Sequence, residues 1–228
     1  MEIVSGVHLI ERLRGANSYL VLAGGTAAVI DTGMPGNEAR ILEYAREAGI
    51  EPANIKFIIL THPDIDHSGS VAKLKGLTGA KVAIHELDAP RLAGEKKLKE
   101  VKGPLGVVFG TMGAFMRFIP VRPDILLKDS DSVSILKVIH SPGHTDGSIC
   151  LLKGDDVIFV GDAMRTDANG RPRLPSGAMT ISMERAKQSL KKISAYSYEA
   201  LLPGHGPPIR NGASQVMASF VESGFADR

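Results

Sequence analysis

The segment Thr61–Gly69, THPDIDHSG, limits what this chain can fold into more than any other stretch. It carries two histidines and two aspartates within six residues, directly after the short apolar run Ile55–Leu60. Such a run predicts a buried strand, and open α/β sheets bind ligands where their strands end. Pro63 disfavours a helical conformation at His62, so we expect an extended loop with a helix only after His67. Imidazole and carboxylate groups at this density indicate half of a metal site.

This segment resembles the THxHxDHxG signature of the metallo-β-lactamase superfamily, and further motifs of that family follow the same order. They are IDTG at 30–33, SPGHTDGS at 141–148, FVGDAM at 159–164 and LPGHGPP at 202–208. The resemblance runs from about Asn17 to about Pro208, and Asp64 stands where the family usually has a second histidine. It implies an α/β fold, the αββα four-layer sandwich, and a metal-dependent hydrolase.

The resemblance implies seven metal ligands, which are His62, Asp64, Asp66, His67, His144, Asp162 and His205. In the family pattern, His62, Asp64 and His144 hold one ion. Asp66, His67 and His205 hold a second ion, and Asp162 bridges the two. We expect two divalent transition-metal ions, zinc first. The additional carboxylate leaves iron or manganese open. Asp31 in IDTG resembles the buried carboxylate that supports the family's metal loops.

Two adjacent ions lower the pKa of a water held between them from 15.7 toward about 7, which predicts hydrolysis by metal-bound hydroxide. Asp66 is the candidate catalytic residue, since the family's equivalent aspartate passes the water's proton to the leaving group. The sequence contains no G-x-S-x-G motif, and Cys150 lies in an apolar run. We therefore expect Cys150 to be a small buried side chain and not a nucleophile.

Residues 86–124 depart from the alternation of strands and helices, and we expect an insert there in a single domain spanning residues 1–228. Its apolar part carries Phe109, Met112, Phe115, Met116 and Phe118. These side chains either pack as core or form a lid or dimerisation arm beside the metals. Arg117 and several glycines argue against a membrane span.

An apolar wall favours an ester, lactone or thioester with a hydrophobic acyl group. Substrate-binding residues stay unknown. Arg165, Arg171 and Arg173 either meet a carboxylate or carbonyl or lie in a solvated loop. The alternatives are β-lactam hydrolysis and a di-iron oxidoreductase of the flavodiiron type without its flavodoxin domain.

Composition excludes some partners. The formal net charge is only +2, which argues against nucleic acid. The segment 1–13 lacks the pattern of a signal peptide, so we expect a cytoplasmic location. A small-molecule substrate is expected, and a homodimer is left open.

The remaining pattern predicts further elements. Expected strands are 7–13, 18–22, 27–30, 81–84, 133–139, 148–152, 157–160 and 200–202. Expected helices are 37–48, 183–193 and 214–221, with one more after His67. We expect His8 and His85 to be surface or core residues, and His140 to support His144.

Overall fold

The computed structural model describes residues 1–97 and 118–226. The chain divides into two compact units, residues 1–126 and 127–228. Each unit has its own sheet and its own buried core. This division does not test the expectation of one domain with an insert at residues 86–124, which stays a prediction.

The first unit is built on a seven-stranded sheet in sequential order, whose last strand ends at the boundary between the units. Its strands are β1 (Glu2–Val4), β2 (Val7–Leu9), β3 (Tyr19–Ala23), β4 (Thr26–Ile30), β5 (Ile55–Ile59), β6 (Lys81–His85) and β7 (Ile125–Leu127). The pairs from β1 to β4 are antiparallel. Strands β4, β5 and β6 are parallel, so their carboxyl ends lie at one edge of the sheet.

Four α-helices accompany this sheet in the described residues. They are α1 (Glu38–Glu47), α2 (Ile65–Ser68), α3 (Val71–Thr78) and α4 (Ala89–Leu92), with a short 3₁₀ helix at Pro52–Asn54. Helix α1 buries Ile41, Leu42 and Ala45 in the core formed with the sheet, as its helical spacing predicts. Gly49, at φ +77°, follows the end of this helix.

The second unit contains a five-stranded sheet in the order β14–β11–β10–β9–β8. Its strands are β8 (Ser132–Val133), β9 (Leu136–His140), β10 (Ile149–Lys153), β11 (Val157–Gly161) and β14 (Ala200–Pro203). Strand β10 is antiparallel to β9 and β11, whereas β11 is parallel to β14. Strands β9, β11 and β14 therefore all run in the same direction.

Two helices and a separate hairpin complete the second unit. The helices are α5 (Met183–Ile193) and α6 (Ala213–Glu222), with a 3₁₀ helix at Gly177–Met179, and the hairpin pairs β12 (Arg165–Thr166) with β13 (Pro172–Arg173). Ser182 caps α5 by accepting a hydrogen bond from the Arg185 amide at 3.3 Å. Leu190 of α5 and Met217 of α6 lie in one core with strand residues.

Several sequence expectations were wrong in detail. The predicted strand 133–139 is two strands, because Ser134, at φ 55°, makes a tight turn between them. The strand expected at 7–13 ends at Leu9, since Arg12 is also left-handed, at φ 65°. Arg165 and Arg173 pair in a hairpin, in which Arg165 is exposed, and both alternatives for these arginines stay open. Strands β1 and β7 and helix α4 were not predicted.

The insert is described only at its two ends. Phe118 is partly buried against the core of the first unit, and Val121 belongs to that core. The expectations for Phe109, Met112, Phe115 and Met116 fall outside the described residues. Among the residues that are described, none of the helices is long and apolar enough to cross a membrane.

Candidate metal centre

In the first unit, the candidate ligands follow the carboxyl end of a central parallel strand. Strand β5 ends at Ile59, and Thr61 and His62 follow it; Asp31 follows the neighbouring parallel strand β4. All three side chains are buried. These side chains therefore lie where the apolar run Ile55–Leu60 predicts, at the carboxyl end of a buried strand. This is the usual position of sites on parallel sheets.

Asp31 is the centre of a buried hydrogen-bond network at this edge. Its Oδ1 accepts from the Thr61 amide at 2.8 Å, and its Oδ2 accepts from the Thr61 hydroxyl at 2.7 Å. Oδ2 also accepts from Nδ1 of His67 at 2.8 Å. Both oxygens are engaged by donors, which stabilises a buried carboxylate. This is the supporting role that the sequence predicts for Asp31.

The same network sets the protonation of two imidazoles. A carboxylate only accepts hydrogen bonds, so Nδ1 of His67 must carry the proton that it donates to Asp31. The Thr61 hydroxyl gives its proton to Asp31 and therefore accepts from Nδ1 of His62, 3.0 Å away. In the neutral form of each ring these bonds place the proton on Nδ1, so Nε2 carries the lone pair that a metal ion requires. The two rings lie close together, with centroids 4.0 Å apart.

Asp64 occupies the N-cap position of α2, but its side chain does not cap the helix. Its Oδ2 lies 3.5 Å from Nε2 of His62 instead. A capping role would require the carboxylate to accept from an amide of the first turn. The geometry of Asp64 therefore favours pairing with His62 over capping.

Asp66 and His67 lie on α2, a helical turn that was expected to begin only after His67. The turn forms because the Asp64 carbonyl accepts from the amides of His67 and Ser68, at 2.9 and 2.8 Å. The Ser68 hydroxyl adds a bond to the Pro63 carbonyl at 2.9 Å. The first unit thus presents two His/Asp pairs, His62 with Asp64 and His67 with Asp66, the candidate ligand atoms of each within 4.8 Å.

In the second unit, the three candidate ligands also lie at one edge. His144 follows β9, Asp162 follows β11 and His205 follows β14, and these strands run in the same direction. His144 is buried, and the side chain of His205 is 38% exposed. The second unit therefore brings together its share of the predicted set.

Asp162 divides its two oxygens between two histidines. Its Oδ2 lies 3.5 Å from Nε2 of His144, and its Oδ1 lies 3.6 Å from Nε2 of His205. Two ligands on one tetrahedral ion with bonds of about 2.1 Å are separated by roughly 3.4 Å. The spacing of both pairs, and of His62 with Asp64, fits atoms that share an ion. The donor set therefore fits divalent transition metals.

Two glycines allow the histidine loops of the second unit to pack closely. At Gly143, φ is +144°, and a Cβ would lie 2.3 Å from the Ala186 amide at the start of α5. At Gly206, φ is +90°, and a Cβ would lie 2.2 Å from the Thr166 carbonyl oxygen. No other residue type fits either position without moving the backbone next to His144 or His205.

The sequence did not predict the contacts that two hydroxyl groups make with candidate histidine ligands, one in each unit. Thr61 lay inside the motif, but only the structure shows that it links Asp31 to His62. Thr180, whose Oγ1 is 3.5 Å from Nδ1 of His144, had no signal in the sequence. Nε2 of His140 lies 2.9 Å from the Asp146 carbonyl oxygen. Because a carbonyl only accepts, this Nε2 is protonated and donates the hydrogen bond. His140 therefore braces the loop that carries His144.

The sequence matches a known family over most of its length. A profile of the metallo-β-lactamase superfamily matches residues 12–205. A protein of Bacillus subtilis described as a probable metallo-hydrolase, YflN, is 29% identical over 91% of this chain and 86% of its own length. The human acyl-coenzyme A thioesterase MBLAC2 is 27% identical over 83% of this chain and 72% of its own length.

Solved structures agree on the fold. A metallo-β-lactamase family protein of Thermus thermophilus, TTHA1429, superimposes with a TM-score of 0.73 at 22% identity, over 98% of this chain and 80% of that one. A likeness at this level of identity shows the fold alone. It confirms the fold class predicted from the sequence, the α/β arrangement of this superfamily.

Proposed function

The chain belongs to the metallo-β-lactamase superfamily and is a metallo-hydrolase, and on this premise we propose that it is binuclear and cleaves hydrophobic acyl thioesters. Esters and lactones with similar acyl groups are the related substrates. The observation that carries the binuclear proposal is Asp162, whose two oxygens face two different histidines at 3.5 and 3.6 Å. A carboxylate in this arrangement is suited to bridge two ions.

The proposed ligand assignment follows the family pattern. One ion takes His62, Asp64 and His144, the other takes Asp66, His67 and His205, and Asp162 is shared. When bound, two such ions acidify a water and polarise the scissile carbonyl. The hydrogen bonds of the first unit support the assignment, because they keep the proton of His62 and His67 on Nδ1 and leave Nε2 to bind.

Asp66 is the proposed general acid and base. Its carboxylate would accept the proton of the attacking water and deliver it to the leaving group. A backbone contact holds its position, since the Ala16 amide donates to the Asp66 carbonyl at 3.0 Å. For a thioester, the proton would reach the sulfur as the carbon–sulfur bond breaks.

A cysteine nucleophile is not part of the proposal. Cys150 is fully buried in β10, and burial raises the pKa of its thiol to about 12. The Ser141 hydroxyl donates to its Sγ at 3.1 Å. A thiol in this environment stays protonated near neutral pH, so it is inert toward an acyl carbon.

Thioesters come first among the acyl substrates because the human relative is described as an acyl-coenzyme A thioesterase. The reaction type is the same for the three classes, since each places a carbonyl carbon next to a leaving group. The three classes differ in the leaving group. The sulfur of a thioester needs less protonation to leave than the alkoxide oxygen of an ester or a lactone.

The purified protein should carry about two transition-metal ions per chain, and a chelator should abolish activity that zinc, iron or manganese restores. Among matched substrates with one acyl group, thioesters should have the highest kcat/KM, ahead of esters and lactones. Elemental analysis and initial rates give both quantities. One ion or none in a fully active sample contradicts the binuclear site. Oxygen consumption with bound iron, and no hydrolysis, would favour a di-iron oxidoreductase.

Replacing Asp64 by alanine should weaken the binding of one ion while the second stays bound. The metal content should therefore fall from about two ions per chain to about one. Asp64→His should restore the content and shift the preference toward zinc, since imidazole is the softer ligand. Ser70→Ala is a suitable control because Ser70 also precedes a helix but bonds to Met34 and Asn37. Unchanged metal content in Asp64→Ala would show that this carboxylate is no ligand.

A further inference from the structure

A groove of about 350 Å³ lies on the second unit between the hairpin β12–β13 and the helix α6. Arg171 and Arg173 form its hairpin side. Phe220, 5% exposed, and the half-buried Val216 give it an apolar floor. Gln215 and Ser219, one helical turn apart and both exposed, line the helix side with polar groups.

The charge of this groove is positive. Among the residues that the structure describes, those that line the groove include the two arginines and no carboxylate. Arg173 is engaged by Asp167 at 2.7 Å, so part of its charge is neutralised. Arg171 is exposed, and the part of the chain that the structure describes shows no carboxylate within ion-pair distance of its guanidinium. A guanidinium in this setting recognises phosphate or carboxylate groups.

Hydrogen bonds to one carboxylate fix the backbone turn that carries Arg171. The Asp167 carboxylate accepts from the amides of Asn169 and Arg171, at 2.9 and 3.0 Å, and also from the side chain of Arg173. These bonds hold the turn in one shape before any ligand arrives. Preorganisation of this kind lowers the entropic cost of binding.

The groove is tied to the loop of His205 through β12. The Thr166 amide donates to the His205 carbonyl at 3.1 Å, and the Thr166 hydroxyl donates to the Pro207 carbonyl at 2.7 Å. Thr166 pairs with Pro172 on the next strand. The backbone beside the two arginines is thus about two strand spacings, roughly 10 Å, from the backbone of His205.

We propose that this groove binds the phosphate-bearing end of a coenzyme A thioester, an inference that rests on the proposed thioesterase function. The carboxylate of a free fatty acid forms at the hydrolysed bond itself, whereas the backbone beside these arginines lies about two strand spacings from that of His205. A carrier whose phosphates are distant from the thioester fits this separation. The apolar floor accommodates the carrier's uncharged portion between its two ends.

Calorimetric titration of free coenzyme A into the metal-loaded full chain tests the groove without relying on turnover. Arg171→Gln should weaken binding about tenfold, because a charged hydrogen bond contributes about 1.5 kcal/mol. Arg171→Glu should weaken it further, and Arg171→Lys should recover part of it. Arg210→Gln, an exposed arginine of the same unit outside the groove, should bind like the wild type. Both positions are exposed, so folding should be unaffected in all four variants.

Kinetics with two thioesters of the same acyl group form the second arm. Arg171→Gln should raise KM for the acyl-coenzyme A about tenfold with little change in kcat, and it should leave the acyl-pantetheine, which lacks the phosphates, unchanged. Equal coenzyme A binding by Arg171→Gln and Arg210→Gln would overturn the groove assignment, even if both thioesters are hydrolysed. If neither thioester is hydrolysed, the proposed function fails, and a loss of coenzyme A binding confined to the Arg171 variants would still support the groove.

Discussion

The Asp162→Ala variant should lose at least one of the two ions and about a thousandfold or more in kcat/KM. On the proposed assignment, Asp162 is the only ligand that both ions share. Its removal should therefore weaken the binding of each ion. Metal activation supplies several kcal/mol of transition-state stabilisation, and each 1.36 kcal/mol corresponds to a factor of ten. Losing about 4 kcal/mol therefore gives the expected thousandfold. Elemental analysis and kcat/KM on a thioester, with metal added in excess, measure the two effects.

Asp155→Ala provides the matched control for this variant. Asp155 is an exposed carboxylate on the turn between β10 and β11, the strand that leads to Asp162. Its replacement should change neither metal content nor kcat/KM. Asp162→Asn separates charge from shape, because it keeps one oxygen but cannot bridge two ions with two anionic oxygens. An Asp162→Ala protein that keeps two ions and wild-type kcat/KM would rule out a bridging carboxylate.

The sequence indicated the candidate ligands because they stand in motifs that resemble those of the metallo-β-lactamase superfamily, and these motifs follow buried strands. Buried strands such as β5 and β11 are recognisable as brief apolar runs, and within each sheet the carboxyl ends of strands that run in the same direction lie at one edge. His62 and Asp64 follow β5, and Asp162 follows β11, as those runs indicate. The fold class follows from the same alternation of strands and helices.

Three local features could not be predicted from the pattern of apolar and polar residues: a turn at one left-handed residue, a very short hairpin and a short helix. Ser134 divides the predicted strand 133–139, and serine at positive φ is uncommon enough that no pattern signals it. The hairpin that carries Arg171 and Arg173 has strands of two residues each, too short for any alternation to appear. Helix α2 forms through the Asp64 carbonyl, which a sequence pattern cannot report.

The hydrogen bonds around the candidate ligands could not be predicted from the sequence either, because they join residues that are distant along the chain. Asp31 and Thr61 are 30 residues apart, and Thr180 and His144 are 36 apart. Only the resemblance indicated Asp31, and nothing indicated Thr180. Hydroxyl groups are common in every protein, so their partners become visible only once the backbone is folded.

Replacing Asp31 by asparagine should lower metal affinity by about 10- to 100-fold, the usual effect of removing a group that supports a ligand. Three donors converge on the Asp31 carboxylate, from the Thr61 amide, the Thr61 hydroxyl and Nδ1 of His67. Asparagine has one acceptor oxygen, so its amide nitrogen must face at least one of these groups. If it faces Nδ1 of His67, that ring must move its proton to Nε2 and can no longer bind a metal there.

The backbone makes asparagine the right replacement. Asp31 is left-handed, at φ 55°, a conformation that asparagine adopts about as readily as aspartate. Alanine would add about 1 to 2 kcal/mol of backbone strain at this position. Asp31→Ala should therefore lower the free energy of unfolding further than Asp31→Asn, as measured by urea titration in the presence of a chelator.

Thr78→Ala distinguishes a specific effect on metal binding from general destabilisation. Its hydroxyl donates to the Leu74 carbonyl at 2.7 Å and accepts from the Ala80 amide at 3.1 Å, at the end of α3. Losing both bonds should lower the free energy of unfolding by about 1 kcal/mol or more and leave metal affinity unchanged. Competition with a chromophoric chelator measures affinity in all the variants. If Asp31→Asn binds metal as tightly as the wild type, Asp31 stabilises the fold but does not set the tautomer of His67.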